Sequence, residues 1–186
     1  MYSLNEQIFF FVHMVARQSP WLDAVVVFFA DSLDMWVVIF AGLVILLVPN
    51  RFIINNTLER LLVGTIDLVK STVALGLTYG VVVAMKALIT APRPFVALPY
   101  IQPLFEYGAY DSFPSGHATL FAAIAYLVYR HHRGAGMVCA VAAVLIGTSR
   151  TIVGIHFPID ILAGWLLGVA SIYAWVYIFA KIFKRV

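Results

Sequence analysis

The chain has 186 residues, of which 63% are hydrophobic and 11% charged, with a formal net charge of +3. Soluble domains carry about 25% charged residues, so this balance excludes a soluble globule and describes one polytopic membrane domain, residues 1–186. The weak positive charge forms no block suited to nucleic acid, and a lone cysteine, Cys139, excludes an internal disulfide and reads as packing.

Residues 3–17 mix apolar positions with Asn5, Glu6, Gln7, His13 and Arg17, the pattern of an amphipathic helix at the membrane interface. No basic segment precedes it, so no cleavable signal peptide is expected. Ser19-Pro20 ends the helix. Trp21–Ala30 is apolar but short, closed by Asp31 and Asp34, and is expected to be a re-entrant or tilted segment. Met35–Pro49 is a span that borrows from residues 30–34 to reach the roughly 20 residues a bilayer requires. Asn56–Lys70 is mixed; Asp67 and Lys70 stand at helical pairing distance. Ser71–Ala91 is the next span and carries Lys86 near its far end.

Pro92, Pro94, Pro99 and Pro103 forbid a continuous helix, so residues 92–113 form a loop rich in Tyr and Phe. Helix resumes from Pro114 to about Tyr129. Arg130-His131-His132-Arg133-Gly134 is a tight, solvated turn. Ala135–Thr148 is a span, Ser149–Phe157 a second polar interruption, and Ile161–Ala180 the last span. The expected fold is all-α: a polytopic membrane helix bundle with five or six transmembrane helices and an N-terminal interfacial helix.

Basic residues orient it. Arg51, Arg60, Lys70, Arg130, Arg133, Lys181, Lys184 and Arg185 fall on one face, which the positive-inside rule makes cytoplasmic. Arg17, Lys86, Arg93 and Arg150 lie on the opposite face; the last three run against that rule, and an anionic ligand is the natural reason.

Arg93, between two prolines, is held for bidentate binding of an oxyanion. Pro114-Ser115-Gly116-His117 reads as a helix start, where free N–H groups of Gly116 and His117 bind anions and glycine lets a phosphate approach. His117 is poised there to donate a proton. His156 and Asp160 are four apart; a carboxylate bonded to one ring nitrogen orients the other as nucleophile or base. These residues alone leave open which histidine attacks. His131 and His132 read as solvated and His13 as interfacial. Four cations and no second carboxylate pair argue against a divalent metal ion.

Together, Lys86-x6-Arg93-Pro94, Pro114-Ser115-Gly116-His117 and Ser149-Arg150-x5-His156-x3-Asp160 resemble the three-part signature of the type-2 phosphatidic acid phosphatase superfamily across residues 86–160. The resemblance implies a helical membrane fold and metal-independent dephosphorylation through a phosphohistidine, with no cofactor. It implies His156 as nucleophile, Asp160 as its orienting carboxylate and His117 as the acid for the leaving group. Lys86, Arg93, Ser115, Gly116 and Arg150 would hold the phosphate. Soluble haloperoxidases resemble the same signature, but the membrane spans argue against that reading. Arg93-Pro94-Phe95 and Asp111-Ser112-Phe113 look most like bacterial undecaprenyl-diphosphate phosphatases, although that subgroup commonly has Asp where this chain has Gly116.

The expected protein is an integral-membrane lipid phosphatase of the cell (inner) membrane, with its active site on the extracytoplasmic side. Its expected partners are a lipid phosphate and the surrounding membrane lipids, with no nucleic acid. Phosphatidylglycerophosphate, phosphatidate and lipid A phosphates present a similar head group. A lipid phosphotransferase would carry the same motifs, and a non-catalytic lipid-binding protein or transporter is the alternative of a different class.

Overall fold

Every regular element is helical in the computed structural model, which describes residues 2–48, 56–105 and 107–183. Arg51, Lys184 and Arg185 of the basic face lie outside the described residues.

Helix α1 (Leu4–His13) starts at a capping box: the Ser3 hydroxyl accepts from Glu6 N–H, and the Glu6 carboxylate accepts from Ser3 N–H. The expected amphipathic helix is therefore present. One face buries Phe9 against Leu98 and Ile101, while Leu4 and Phe11 point outward. His13 is tied to the bundle, its Nδ1 lying 2.7 Å from the Ile152 carbonyl.

Ser19 caps α2 (Pro20–Val27), with Pro20 in its first turn. Here the structure corrects the re-entrant expectation. A π-helical turn, Phe28–Ser32, joins α2 to α3 (Leu33–Leu47), giving one apolar rod of 28 residues. Asp31 and Asp34 do not end the segment, because a π turn continues the backbone hydrogen bonding. The possible sixth span thus merges into the first.

Helix α4 (Thr57–Leu88) is also longer than expected, at 32 residues. Its length of about 48 Å exceeds the roughly 30 Å hydrocarbon layer, so Glu59, Arg60, Asp67 and Lys70 sit toward an end that need not be apolar. A short turn, α5 (Pro94–Ala97), interrupts the following loop.

Helix α6 (Gly116–His131) has 16 residues. It occupies the centre, packing against α3, α4, α7 (Arg133–Ile152) and α8 (Pro158–Phe183). Phe121, Ile124, Ala125 and Val128 of α6 meet Val37, Ala41 and Ile45 of α3 and Cys139, Ala143 and Ile146 of α7. Cys139 is core packing, as expected. Four rods (residues 20–47, 57–88, 133–152 and 158–181) are long and apolar enough to cross a membrane; α6 is the fifth expected span.

Two boundaries differ from expectation. Between α6 and α7 only His132 is non-helical, and its Nδ1 caps α7 by accepting from Ala135 N–H at 3.1 Å. His131 is partly buried rather than solvated. Ser149 and Arg150 belong to the last turns of α7 rather than to a loop. The polar interruption shrinks to residues 153–157, where Gly154 has φ +91°, a conformation glycine adopts without strain.

Helices α6 and α8 approach closely because α8 carries Gly164 and Gly168. A Cβ at Gly168 would lie 2.2 Å from the Thr119 carbonyl oxygen, and one at Gly164 would lie 2.8 Å from that of Ser115. Small residues four apart permit such contact between membrane helices. The approach sets the start of α8 beside the start of α6, where the Ser115 N–H donates to the Asp160 carbonyl at 3.1 Å.

Candidate active site

The three motif segments meet at the ends of α4, α6 and α7. A cavity of about 250 Å³ is lined by Lys86, Arg93, Gly116, His117 and His156, together with Tyr79, Tyr107, Asp111 and Leu120. Ser115, Arg150 and Asp160 stand behind that lining, all buried.

Arg93 is fully buried, and its donors fan out. Nη1 donates to the Ile155 carbonyl at 2.8 Å and lies 3.1 Å from His156 Nε2; Nε donates to Asp111 Oδ1 at 3.0 Å. Lys86 reaches the same carboxylate, with Nζ 3.3 Å from Asp111 Oδ2, and also donates to the Asp111 carbonyl. Burial works against the Asp111 charge, but Arg93 and Lys86 hold its carboxyl below the usual carboxylate range.

Arg150 is also fully buried. Its Nη1 donates to the Ala30 carbonyl, inside the π turn, at 2.7 Å, whereas Nε and Nη2 have no partner among the described residues. A buried guanidinium with two unused donors is costly unless an anion meets it. The Tyr107 ring underlies both guanidinium groups, 4.4 Å from Arg93 Cζ and 5.0 Å from Arg150 Cζ.

His156 is 1% exposed. Its Nδ1 lies 3.5 Å from Asp160 Oδ2 and 3.4 Å from Ser112 Oγ, and that hydroxyl donates to Asp160 Oδ2 at 2.6 Å. Phe157 N–H also donates to Asp160 Oδ2, at 2.8 Å, so the carboxylate caps α8 while it faces the imidazole. Burial first, then Arg93 and Arg150, pushes His156 down to about 4, against the opposing effect of Asp160. The ring is neutral at pH 7, with Nδ1 turned to Ser112 and Asp160 and the Nε2 lone pair facing Arg93 Nη1.

Ser115 caps α6, its Oγ accepting from Ala118 N–H at 3.4 Å. Gly116 lines the cavity, and a Cβ there would make only ordinary contacts, 3.7 Å or more from Tyr79 and Val82. His117 Nε2 lies 3.5 Å from Asp34 Oδ2 of α3.

Comparison with known proteins decides the family: the PAP2 superfamily model matches residues 67–184. The chain belongs to the PAP2 superfamily. The bacitracin transport permease protein BcrC of Bacillus licheniformis is 31% identical over 168 residues, covering 90% of this chain and 77% of that protein. The undecaprenyl-diphosphatase BcrC of Bacillus subtilis (strain 168) is 28% identical, covering 89% and 79%. Among solved structures, Aquifex aeolicus LpxE has the same fold, with a TM-score of 0.65 at 23% identity over 95% of this chain and 96% of that one. This PAP2 chain is thus a multi-pass membrane protein and an enzyme of the lipid phosphatase class.

Sequence reasoning gave no role in the site to four neighbours of the PAP2 motifs, although Asp111 and Ser112 entered the subgroup resemblance. Ser112 and Asp111 precede the central motif, and their polarity beside it was the available signal. Tyr107 was one aromatic among many in its loop. Asp34 had no signal, because its approach to His117 depends on tertiary packing.

Proposed function

We propose that this PAP2 protein hydrolyses the terminal phosphate of undecaprenyl diphosphate through a phosphohistidine at His156. The supporting observation is the setting of His156: a neutral ring beside Asp160, with Nε2 3.1 Å from Arg93 Nη1 in a cavity that Lys86 and His117 also line. The choice of a polyprenyl diphosphate rests on the relative named undecaprenyl-diphosphatase, which aligns with 89% of the chain.

In the first step His156 Nε2 forms a bond to the terminal phosphorus as the bridging P–O bond breaks. His117 gives its proton to the departing oxygen of the lipid monophosphate. In the second step a water oxygen attacks phosphorus, the N–P bond breaks, and His117 takes the water's proton. The products are inorganic phosphate and the lipid monophosphate. Lys86, Arg93, Arg150 and the N–H groups at Gly116 and His117 hold the equatorial oxygens, where negative charge spreads in the transition state. Ser115 contributes by fixing the start of α6. Asp160, through Ser112, keeps the Nδ1 proton in place so that Nε2 attacks.

The active site faces the extracytoplasmic side of a bacterial cytoplasmic membrane. In support, Lys70 and Arg130 line a separate cavity formed by α4, α6 and α8, far along α6 from His117, as the positive-inside rule requires.

The test is phosphate release by purified protein in detergent with EDTA, across undecaprenyl diphosphate, phosphatidylglycerophosphate, phosphatidate and lipid A, beside His156→Ala. EDTA-resistant release, fastest with undecaprenyl diphosphate and lost in the variant, is expected. Full turnover by His156→Ala would sink the mechanism. Preference for another lipid would move the substrate, and phosphate recovered only on a second lipid would make the enzyme a transferase.

A further inference from the structure

We infer that Asp34 is a positioning residue for His117: its carboxylate holds Nε2 of the imidazole and leaves Nδ1 to protonate the leaving group. The inference deepens the reading above and rests on His117 being the acid.

Four observations carry it. Asp34 Oδ2 lies 3.5 Å from His117 Nε2, although the two residues are on different helices. Asp34 Oδ1 accepts from Met35 N–H at 2.6 Å, so one oxygen is anchored to the backbone while the other meets the ring. That is the arrangement in which a carboxylate fixes an imidazole's orientation and tautomer. Second, Asp34 sits in the first turn of α3, within an apolar rod, and ionisable groups at membrane depth are functional candidates. Third, the rod reaches Asp34 through the π turn Phe28–Ser32. One extra residue rotates everything after it by roughly 100° relative to an unbroken α-helix. The same turn offers the Ala30 carbonyl to Arg150 Nη1 at 2.7 Å. A single irregularity therefore serves two groups of the site.

The fourth observation is electrostatic. Lys86 and Arg93 line the cavity with His117, and Arg150 stands behind it. An imidazolium amid three cations is unfavourable, and Asp34 supplies the compensating charge at its ring nitrogen. The Asp34 carboxylate gives up no proton itself. The proton travels from His117 Nδ1 to the departing oxygen, and the Nε2–H stays on the ring.

Acid assistance matters most when the leaving group is poor. Phosphatidate, a monoester probe used in place of the diphosphate, expels an alkoxide, whereas p-nitrophenyl phosphate expels a stabilised phenolate. The experiment compares kcat and KM on both substrates for wild type, Asp34→Asn, Asp34→Glu and His117→Ala in detergent.

The expected result for the isosteric Asp34→Asn is a fall in kcat of about 100-fold on the monoester and under about 3-fold on p-nitrophenyl phosphate, with KM unchanged. Asp34→Glu should recover at least about 10-fold of the monoester loss. Equal loss on both substrates, or no loss, overturns the role of Asp34, provided His117→Ala still discriminates between them; the acid assignment then stands. If His117→Ala does not discriminate either, the acid assignment fails and the Asp34 role falls with it. Should Asp34→Asn not fold, Asp34→Ser is read in its place: a substrate ratio moved toward p-nitrophenyl phosphate supports the role, and an unmoved ratio overturns it.

Discussion

The Ser112 hydroxyl donates to Asp160 Oδ2 at 2.6 Å while it lies 3.4 Å from His156 Nδ1. With its proton given to the carboxylate, the hydroxyl oxygen is free to accept from Nδ1–H. Asp160 is itself 3.5 Å from that nitrogen, so serine tightens a contact that the carboxylate alone makes loosely. Ser112→Ala is expected to lower kcat about 10-fold with KM within about twofold, because the ring tautomer is less firmly held while the phosphate contacts remain. Steady-state kinetics on a lipid diphosphate would check this.

Asp111 occupies the cations proposed above to hold the phosphate, with Oδ1 3.0 Å from Arg93 Nη2 and Oδ2 3.3 Å from Lys86 Nζ. Its side chain is 46% exposed, so the pairing is screened and exchangeable, worth at most about 1 kcal/mol. Asp111→Asn removes the competing charge. Vanadate, a mimic of the pentavalent phosphorus, should then inhibit about 5-fold more tightly. Because Arg93 and Lys86 keep Asp111 ionised at both pH 6 and pH 8, the gain should be equal at the two values.

The α6–α8 contact admits no side chain at Gly168, where a Cβ would fall 2.2 Å from the Thr119 carbonyl oxygen. Gly168→Ala must push the helices apart, at a cost of about 1–3 kcal/mol. Gly76→Ala, in α4, is the control, since nothing lies within 4 Å of its Cβ. Thermal unfolding in detergent should show a lowered midpoint for the first variant and little change for the second. Gly168→Ala should also lose activity at temperatures where it stays folded, since Asp160 is carried on the displaced helix.

His156 links stability to pH. Its folded value near 4 lies below the ordinary 6.5, so the unfolded chain takes up the proton first. The stabilisation is complete above about 6.5 and is lost as pH falls toward about 4, reaching about 3 kcal/mol. Wild type should therefore lose more thermal stability than His156→Gln between pH 7.5 and pH 4.5. Parallel curves for the two proteins would contradict this.

The grouping of the motif residues was legible in the sequence because it depends on residue type and order. Lys86, Arg93, His117, Arg150 and His156 converge as their spacing implied. Helix boundaries were less legible. The mixed stretch Asn56–Lys70 was set apart from the span Ser71–Ala91, yet one helix runs through both, because a helix longer than the bilayer tolerates charge at its far end. Ser149 and Arg150 looked like loop residues, yet both continue α7, and the Arg150 side chain reaches the Ala30 carbonyl from there. The π turn was invisible, since no local pattern distinguishes it from the surrounding apolar helix, and with it went the approach of Asp34 to His117.

The loop between α4 and α6 is stapled at its base. Arg93 N–H donates to the Ala109 carbonyl at 3.0 Å, and Ser112 N–H donates to the Ala91 carbonyl at 3.1 Å. Both flanks are thus fixed to each other independently of what lies between them. Arg93 and Ser112 keep their places whatever the loop between them does, provided Tyr107 stays beneath the guanidiniums and Leu98 and Ile101 keep their packing on Phe9. On the function proposed above, such an arrangement would let the segment that greets the head group vary without disturbing the residues that break the bond, so one frame could serve many lipids.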